Sequence, residues 1–201
     1  SRPWVRASEG NKGTSGYMTD NKVTKYNAND KRFTTKGDTL FVTLLGEDEK
    51  SINVRALSKE FSENVNIKSV SLLGSNKKVD WALTSKGLKI NLPSTFPTKY
   101  AHTFKVELSG IFYGNLQTEI KNTSLLANTY VRNSTDNDIK RQITCSLDGK
   151  NITKSVTIPA HKTIDTEFIF PNLSETKHKA KLKIGKYSDN VEFTYKQKQQ
   201  K

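Results

Sequence analysis

Hydrophobic positions along this chain recur with a period of two. They come in short runs separated by Gly, Asn, Asp, Ser and Pro. Such alternation places one side-chain set on each face of a β-strand. The clearest signal spans residues 32–45, where two runs rich in Thr, Phe, Val and Leu flank Lys36-Gly37-Asp38. β-Branched and aromatic residues suit a pleated, half-buried surface, and a short glycine-centred loop between two such runs marks a hairpin. Residues 51–57 alternate so that Ile52, Val54 and Ala56 share a face. The pattern continues over 67–73, 79–84, 88–92 and 100–108, with Pro93 as a stop. Val79, Trp81 and Leu83 read as one core-facing set. Residues 57–61 are the one stretch that reads as a helical turn.

Beyond Ser109-Gly110 the pattern restarts. Strands are expected over 128–133, 139–147, 155–158, 163–170, 177–184 and 191–195, with Asp148-Gly149 as a hairpin turn. About seven short strands in some 85 residues imply an immunoglobulin-like sandwich. The expected fold class is all-β, with two antiparallel β-sandwiches in tandem. The expected division is 1–31 as a linker, 32–109 and 110–195 as the two sandwiches, and 196–201 as a polar tail.

Charge narrows the partners without changing the fold. The net charge is +13, and the excess is even: 18 Lys and Arg against 11 Asp and Glu over 1–109, and 15 against 9 over 110–201. A basic surface favours polyanions. Nucleic acid is disfavoured, because the aromatic platforms interleaved with Lys and Arg that bind single strands are missing. No run of ~18 apolar residues exists, so no membrane-spanning helix is expected. No apolar h-region follows Ser1-Arg2-Pro3-Trp4, and the first residue is not Met, so the start reads as a cut or processed end. Cys145 is the sole cysteine and alternates with Ile143 and Leu147, which reads as a buried small hydrophobe. The three histidines (His102, His161, His178) lie far apart in sequence. Neither metal nor other cofactor is expected.

The first half resembles a known family. Arg2-Pro3-Trp4 with Ser8-Glu9-Gly10, then the run from Tyr26-Asn27-Ala28-Asn29-Asp30 through Gly37-Asp38-Thr39-Leu40, are similar to the C-terminal region of α-L-fucosidases of glycoside hydrolase family 29. Ser69-Val70-Ser71-Leu72-Leu73-Gly74-Ser75, Gly87-Leu88-Lys89-Ile90-Asn91-Leu92-Pro93 and Tyr100-Ala101-His102-Thr103-Phe104-Lys105 follow in the family's order. Ser8 and Asn11 depart from the family's Gly and Pro around Glu9, and Lys31 stands where an apolar residue is common. The resemblance covers residues 1 to about 108. It implies a β-sandwich that accompanies a catalytic (β/α)₈ barrel. The family's retaining hydrolysis uses an Asp nucleophile and a Glu acid/base, both on that barrel. No carboxylate here matches either one, so no catalytic residue is expected in this chain. The resemblance also implies a secreted or periplasmic protein.

Candidate site residues follow from both readings. Arg2 and Trp4 are expected to contact the barrel. Lys177, Lys179, Lys181 and Lys183 alternate with His178, Ala180, Leu182 and Ile184, which gives one all-lysine strand face. That face reads either as a solvated surface or lysine-guarded sheet edge, or as a docking stripe for a fucosylated glycan, sulfated forms included. Glu47-Asp48-Glu49 reads as a solvated turn. Asn122, Asn133, Asn151 and Asn172 each head a glycosylation sequon. The function expected is that of a non-catalytic C-terminal part of an α-L-fucosidase. The alternative is a free-standing carbohydrate-binding or adhesion protein.

Overall fold

The computed structural model describes residues 4, 8–10, 26–46, 49–58, 65–99 and 101–196. Among them every regular element is a strand except one 3-10 turn, and every strand pairing is antiparallel. The chain divides into two compact units, Ser1–Gly110 and Ile111–Lys201.

The first unit holds β1 (Ser8–Glu9), β2 (Lys31–Lys36), β3 (Thr39–Leu44), β4 (Ser51–Val54), β5 (Val65–Leu72), β6 (Trp81–Thr84), β7 (Gly87–Asn91) and most of β8 (His102–Tyr113). One sheet runs β1-β2-β3-β8-β5 and the other β4-β7-β6. The alternation reads directly into burial. Leu40, Val42 and Leu44 of β3 and Phe104, Val106 and Leu108 of β8 are buried from the first sheet. Ile52, Val54, Leu88 and Ile90 are buried from the second. Each such side chain contributes roughly 1.5–3 kcal/mol on leaving water. Gly87 opens β7 at φ 119°, where a Cβ would sit 2.3 Å from the carbonyl oxygen of Val54, so only glycine lets β4 and β7 approach there.

Several expectations change here. Residues 1–31 are not simply a linker, since Trp4 is buried in this unit and β1 pairs with β2. β4 ends at Val54 and a 3-10 turn follows at Arg55–Leu57, while residues 59–61 of the expected helical turn lie outside the described residues. Trp81 and Leu83 are not core: they are 36% and 55% exposed. Register places them beside Ile90 and Leu88, but β6 pairs with β7 alone. Among the described residues this outermost strand has no neighbour on its far side, and of the expected set only Val79, just before β6, is buried.

The second unit holds the end of β8, then β9 (Gln117–Lys121), β10 (Ser124–Asn133), β11 (Ile139–Leu147), β12 (Lys150–Ile158), β13 (Thr163–Phe170), β14 (Lys177–Ile184) and β15 (Tyr187–Thr194). In one sheet β10 pairs with β13 along one side, and with β9 and then residues 111–113 along the other. The second sheet runs β12-β11-β14-β15. Leu125, Ala127, Val131, Phe168 and Phe170 are buried from the first, and Ile143, Cys145, Ala180, Leu182 and Ile184 from the second. The β11–β12 hairpin turns on two residues, Asp148 (φ 49°) and Gly149 (φ 88°), and both positive values are those a type I′ turn requires.

Candidate functional site

β14 presents Lys177, Lys179, Lys181 and Lys183 to solvent and buries His178, Ala180, Leu182 and Ile184. The lysine-guarded edge is excluded by topology, because β14 is hydrogen-bonded to β11 on one side and β15 on the other. The lysines therefore stand in the middle of a four-stranded face. Register sets their neighbours. Lys183 lies between Thr144 and Ser188, Lys181 between Ser146 and Asn190, and Lys179 and Lys177 lie beside Glu192 and Thr194. β12 extends the face with Asn151 and Thr153, the latter's hydroxyl 2.9 Å from that of Thr144. Exposed Lys140 sits on the same face of β11, four residues before Thr144.

The face carries one acid, Glu192, whose Oε1 accepts from Lys179 Nζ at 2.5 Å. That hydrogen bond holds the Glu192 carboxyl below its usual range. Among the described residues, Lys177, Lys181 and Lys183 make no ion pair. Where β14 begins, a depression of ≈ 300 Å³ is lined by His178, Phe193 and Asp148.

The N-terminal candidates fall differently. Trp4 is fully buried, and its indole N–H donates to the carbonyl oxygen of Ala56 at 3.2 Å. Its indole surface is used inside the first unit. Arg2 lies outside the described residues. Glu9 Oε1 accepts from the backbone N–H of Ala56 at 2.5 Å, and its Oε2 accepts from that of Arg55 at 3.2 Å and lies 3.6 Å from Lys31 Nζ. Burial lowers the Lys31 pKa, and Glu9 opposes that shift. The departure at position 31 from the family's apolar residue is thus matched by a buried carboxylate partner.

The remaining chemistry is quiet. Glu107, Asp148 and Glu192 all have lowered pKa values, each chiefly through a side-chain hydrogen bond. A glycosidase general acid needs the opposite shift. Burial pushes the Cys145 thiol up to about 11, and a buried thiol of that kind is inert at neutral pH. Among the described residues no three His, Cys, Asp or Glu side chains gather as a metal site, and no helix is long and apolar enough to cross a membrane. Of the sequon asparagines, Asn133 is fully buried, whereas Asn122, Asn151 and Asn172 are exposed. Sequence reasoning missed the polar knots around Asn133 and His178, because each is assembled from segments that are distant along the chain.

With the first unit's sandwich in place, the comparison with protein families becomes specific. Residues 25–107 match the alpha-L-fucosidase C-terminal domain. The matched stretch therefore runs from β2 to the middle of β8 and leaves the second unit unmatched. It is a glycosidase-associated, non-catalytic domain. No curated protein matches the chain. Similar solved structures include the exo-chitosanase CsxA of Amycolatopsis orientalis, at 10% identity and TM-score 0.36 over 78% of this chain and 25% of that one. A β-glucuronidase of Bacteroides uniformis aligns at 12% identity and TM-score 0.39, covering 80% and 26%. The chain spans about a quarter of the length of these proteins.

Proposed function

We propose that this chain is the non-catalytic C-terminal part of an α-L-fucosidase, a retaining glycoside hydrolase that releases α-L-fucose from glycans. The observation that carries the reading is the match of residues 25–107 to the fucosidase C-terminal domain, a stretch that holds β2 to β7 and the first half of β8. In this reading the first unit supports a catalytic (β/α)₈ barrel of the same protein, and the second is an immunoglobulin-like accessory module. The nucleophile and acid/base belong to the barrel. The lowered carboxyl pKa values in this chain are in keeping with that division of labour. The family points to a secreted or periplasmic setting.

The test is hydrolysis of a chromogenic α-L-fucoside, measured for this purified chain and for the polypeptide encoded with its upstream reading frame. Turnover is expected only when a barrel is present. Removing the first unit is then expected to lower the barrel's thermal midpoint. An upstream frame that encodes no barrel, or a barrel indifferent to loss of the first unit, overturns the proposal.

A further inference from the structure

We propose that the outer face of the β12-β11-β14-β15 sheet is a docking surface for a linear anionic polysaccharide of the sulfated class. The inference is independent of the fucosidase reading, since it concerns the unmatched second unit and a binding event without turnover. Three observations carry it. The first is position. The four lysines lie on an interior strand, so discouraging edge-to-edge pairing does not explain them. The second is charge. Lys177, Lys179, Lys181 and Lys183, with Lys140 further along, face a single acid, Glu192, which pairs with Lys179. The uncompensated end of the stripe is therefore Lys181 and Lys183.

The third is the chemistry between the charges. The flanking positions on β11, β12 and β15 carry Thr, Ser and Asn, whose hydroxyl and amide groups hydrogen-bond sulfate oxygens and sugar hydroxyls. No aromatic side chain stands on this face to stack a nucleic-acid base, which favours a saccharide polyanion over a single-stranded nucleic acid. Lysines at every second strand position recur about 6.8 Å apart, so four of them span roughly 20 Å along one line. A stripe of that length fits an extended chain with repeated anionic groups better than a single small anion. Binding driven this way releases counterions and weakens steeply with salt.

The experiment uses the full chain, with dextran sulfate, uncharged dextran and double-stranded DNA as probes at low and physiological ionic strength. Dextran sulfate is expected to bind and uncharged dextran is not. The variant with Lys177, Lys179, Lys181 and Lys183 all changed to Ser is expected to lose at least about tenfold in affinity. A control with Lys36, Lys68, Lys77 and Lys78 changed to Ser removes the same charge from exposed positions of the first unit, and is expected to stay within about threefold of the parent. Equal loss in both variants would reduce the effect to net charge and overturn the proposal. So would no binding to dextran sulfate, or DNA binding that is tighter than dextran sulfate binding and lost with the same four lysines. Thermal midpoints of both variants establish that each is folded.

Discussion

His178 Nδ1 stands 2.6 Å from Asp148 Oδ2, while its Nε2 stands 2.7 Å from the carbonyl oxygen of Ser174. Both ring nitrogens face acceptors, so only the doubly protonated imidazolium satisfies both. One buried side chain thus ties the Asp148-Gly149 turn to the loop before β14. Phe193 of β15 is the residue opposite His178, its ring 5.3 Å away; Lys177 and Lys179 flank His178 on its own strand, and Glu192, opposite Lys179, is engaged by that lysine.

That geometry makes stability depend on pH in a stated direction. The hydrogen bond to Asp148 raises the His178 pKa, and the same bond lowers that of Asp148. The histidine's contribution is complete below its unfolded value of about 6.5 and is lost as pH rises through the folded value. The carboxylate's contribution is present above about 3.9 and is lost as pH falls through its own folded value. His178→Gln is expected to cost about 1–2 kcal/mol at pH 6 and distinctly less at pH 9, read from urea midpoints. A cost that is flat between those pH values would show the imidazole to be neutral in the fold.

Glu9 and Lys31 make a second test. Glu9→Ala leaves the backbone N–H groups of Arg55 and Ala56 without their acceptor, and the buried Lys31 ammonium with the carbonyl oxygen of Asn29 but no longer the Glu9 carboxylate. The expected loss is about 3–5 kcal/mol, with Glu9→Gln costing less because one acceptor oxygen remains. Denaturant titration of the three proteins measures both. A loss for Glu9→Ala under about 0.5 kcal/mol would place this cluster among ordinary surface charges.

Asn133 heads a sequon that the fold has closed. Its Nδ2 donates to the carbonyl oxygens of Asn137, Ile158 and Pro159, and its Oδ1 accepts from Thr135. On expression in a glycosylating host, peptide mass mapping is expected to find no glycan at Asn133, with any occupancy confined to Asn122, Asn151 and Asn172. Asn133→Asp replaces an NH2 group, whose two hydrogens are shared among three carbonyl oxygens, with an acceptor, and is expected to cost at least about 2 kcal/mol.

The exposed end of the first unit predicts a contrast between neighbours. Leu83→Ser on β6 is expected to change stability by no more than about 0.5 kcal/mol, because Leu83 is 55% exposed. Leu88→Ala, one strand inward at the paired position and fully buried, is expected to cost about 2–5 kcal/mol. Thermal unfolding of the two variants settles the difference.

Strands were legible where both faces of the alternation were strong. Ile139–Leu147, Thr163–Phe170 and Lys177–Ile184 carry their apolar residues at every second position and emerge with the expected bounds. β9 was invisible because Gln117–Lys121 is mostly exposed and offers one large apolar residue, Ile120, itself 39% exposed. β8 runs on to Tyr113, past the boundary expected at Ser109-Gly110, because backbone pairing with β10 carries it beyond that point. Alternation told which residues of β6 and β14 share a face, but not where each strand sits in its sheet. That ranking comes from long-range pairing, so an outermost Trp81 read as core, and an interior lysine strand also fitted an edge.

Trp4 sets a limit on how portable the first sandwich is. The family match begins at residue 25, yet the indole that fills the interior beside the 3-10 turn comes from position 4, and the carboxylate that neutralises Lys31 comes from position 9. A graft cut at the family boundary would carry all the large strands and still leave a tryptophan-sized void, a defect on the order of 3–5 kcal/mol in a marginally stable domain. Transplanting this sandwich onto another protein therefore requires its leading segment to travel with it.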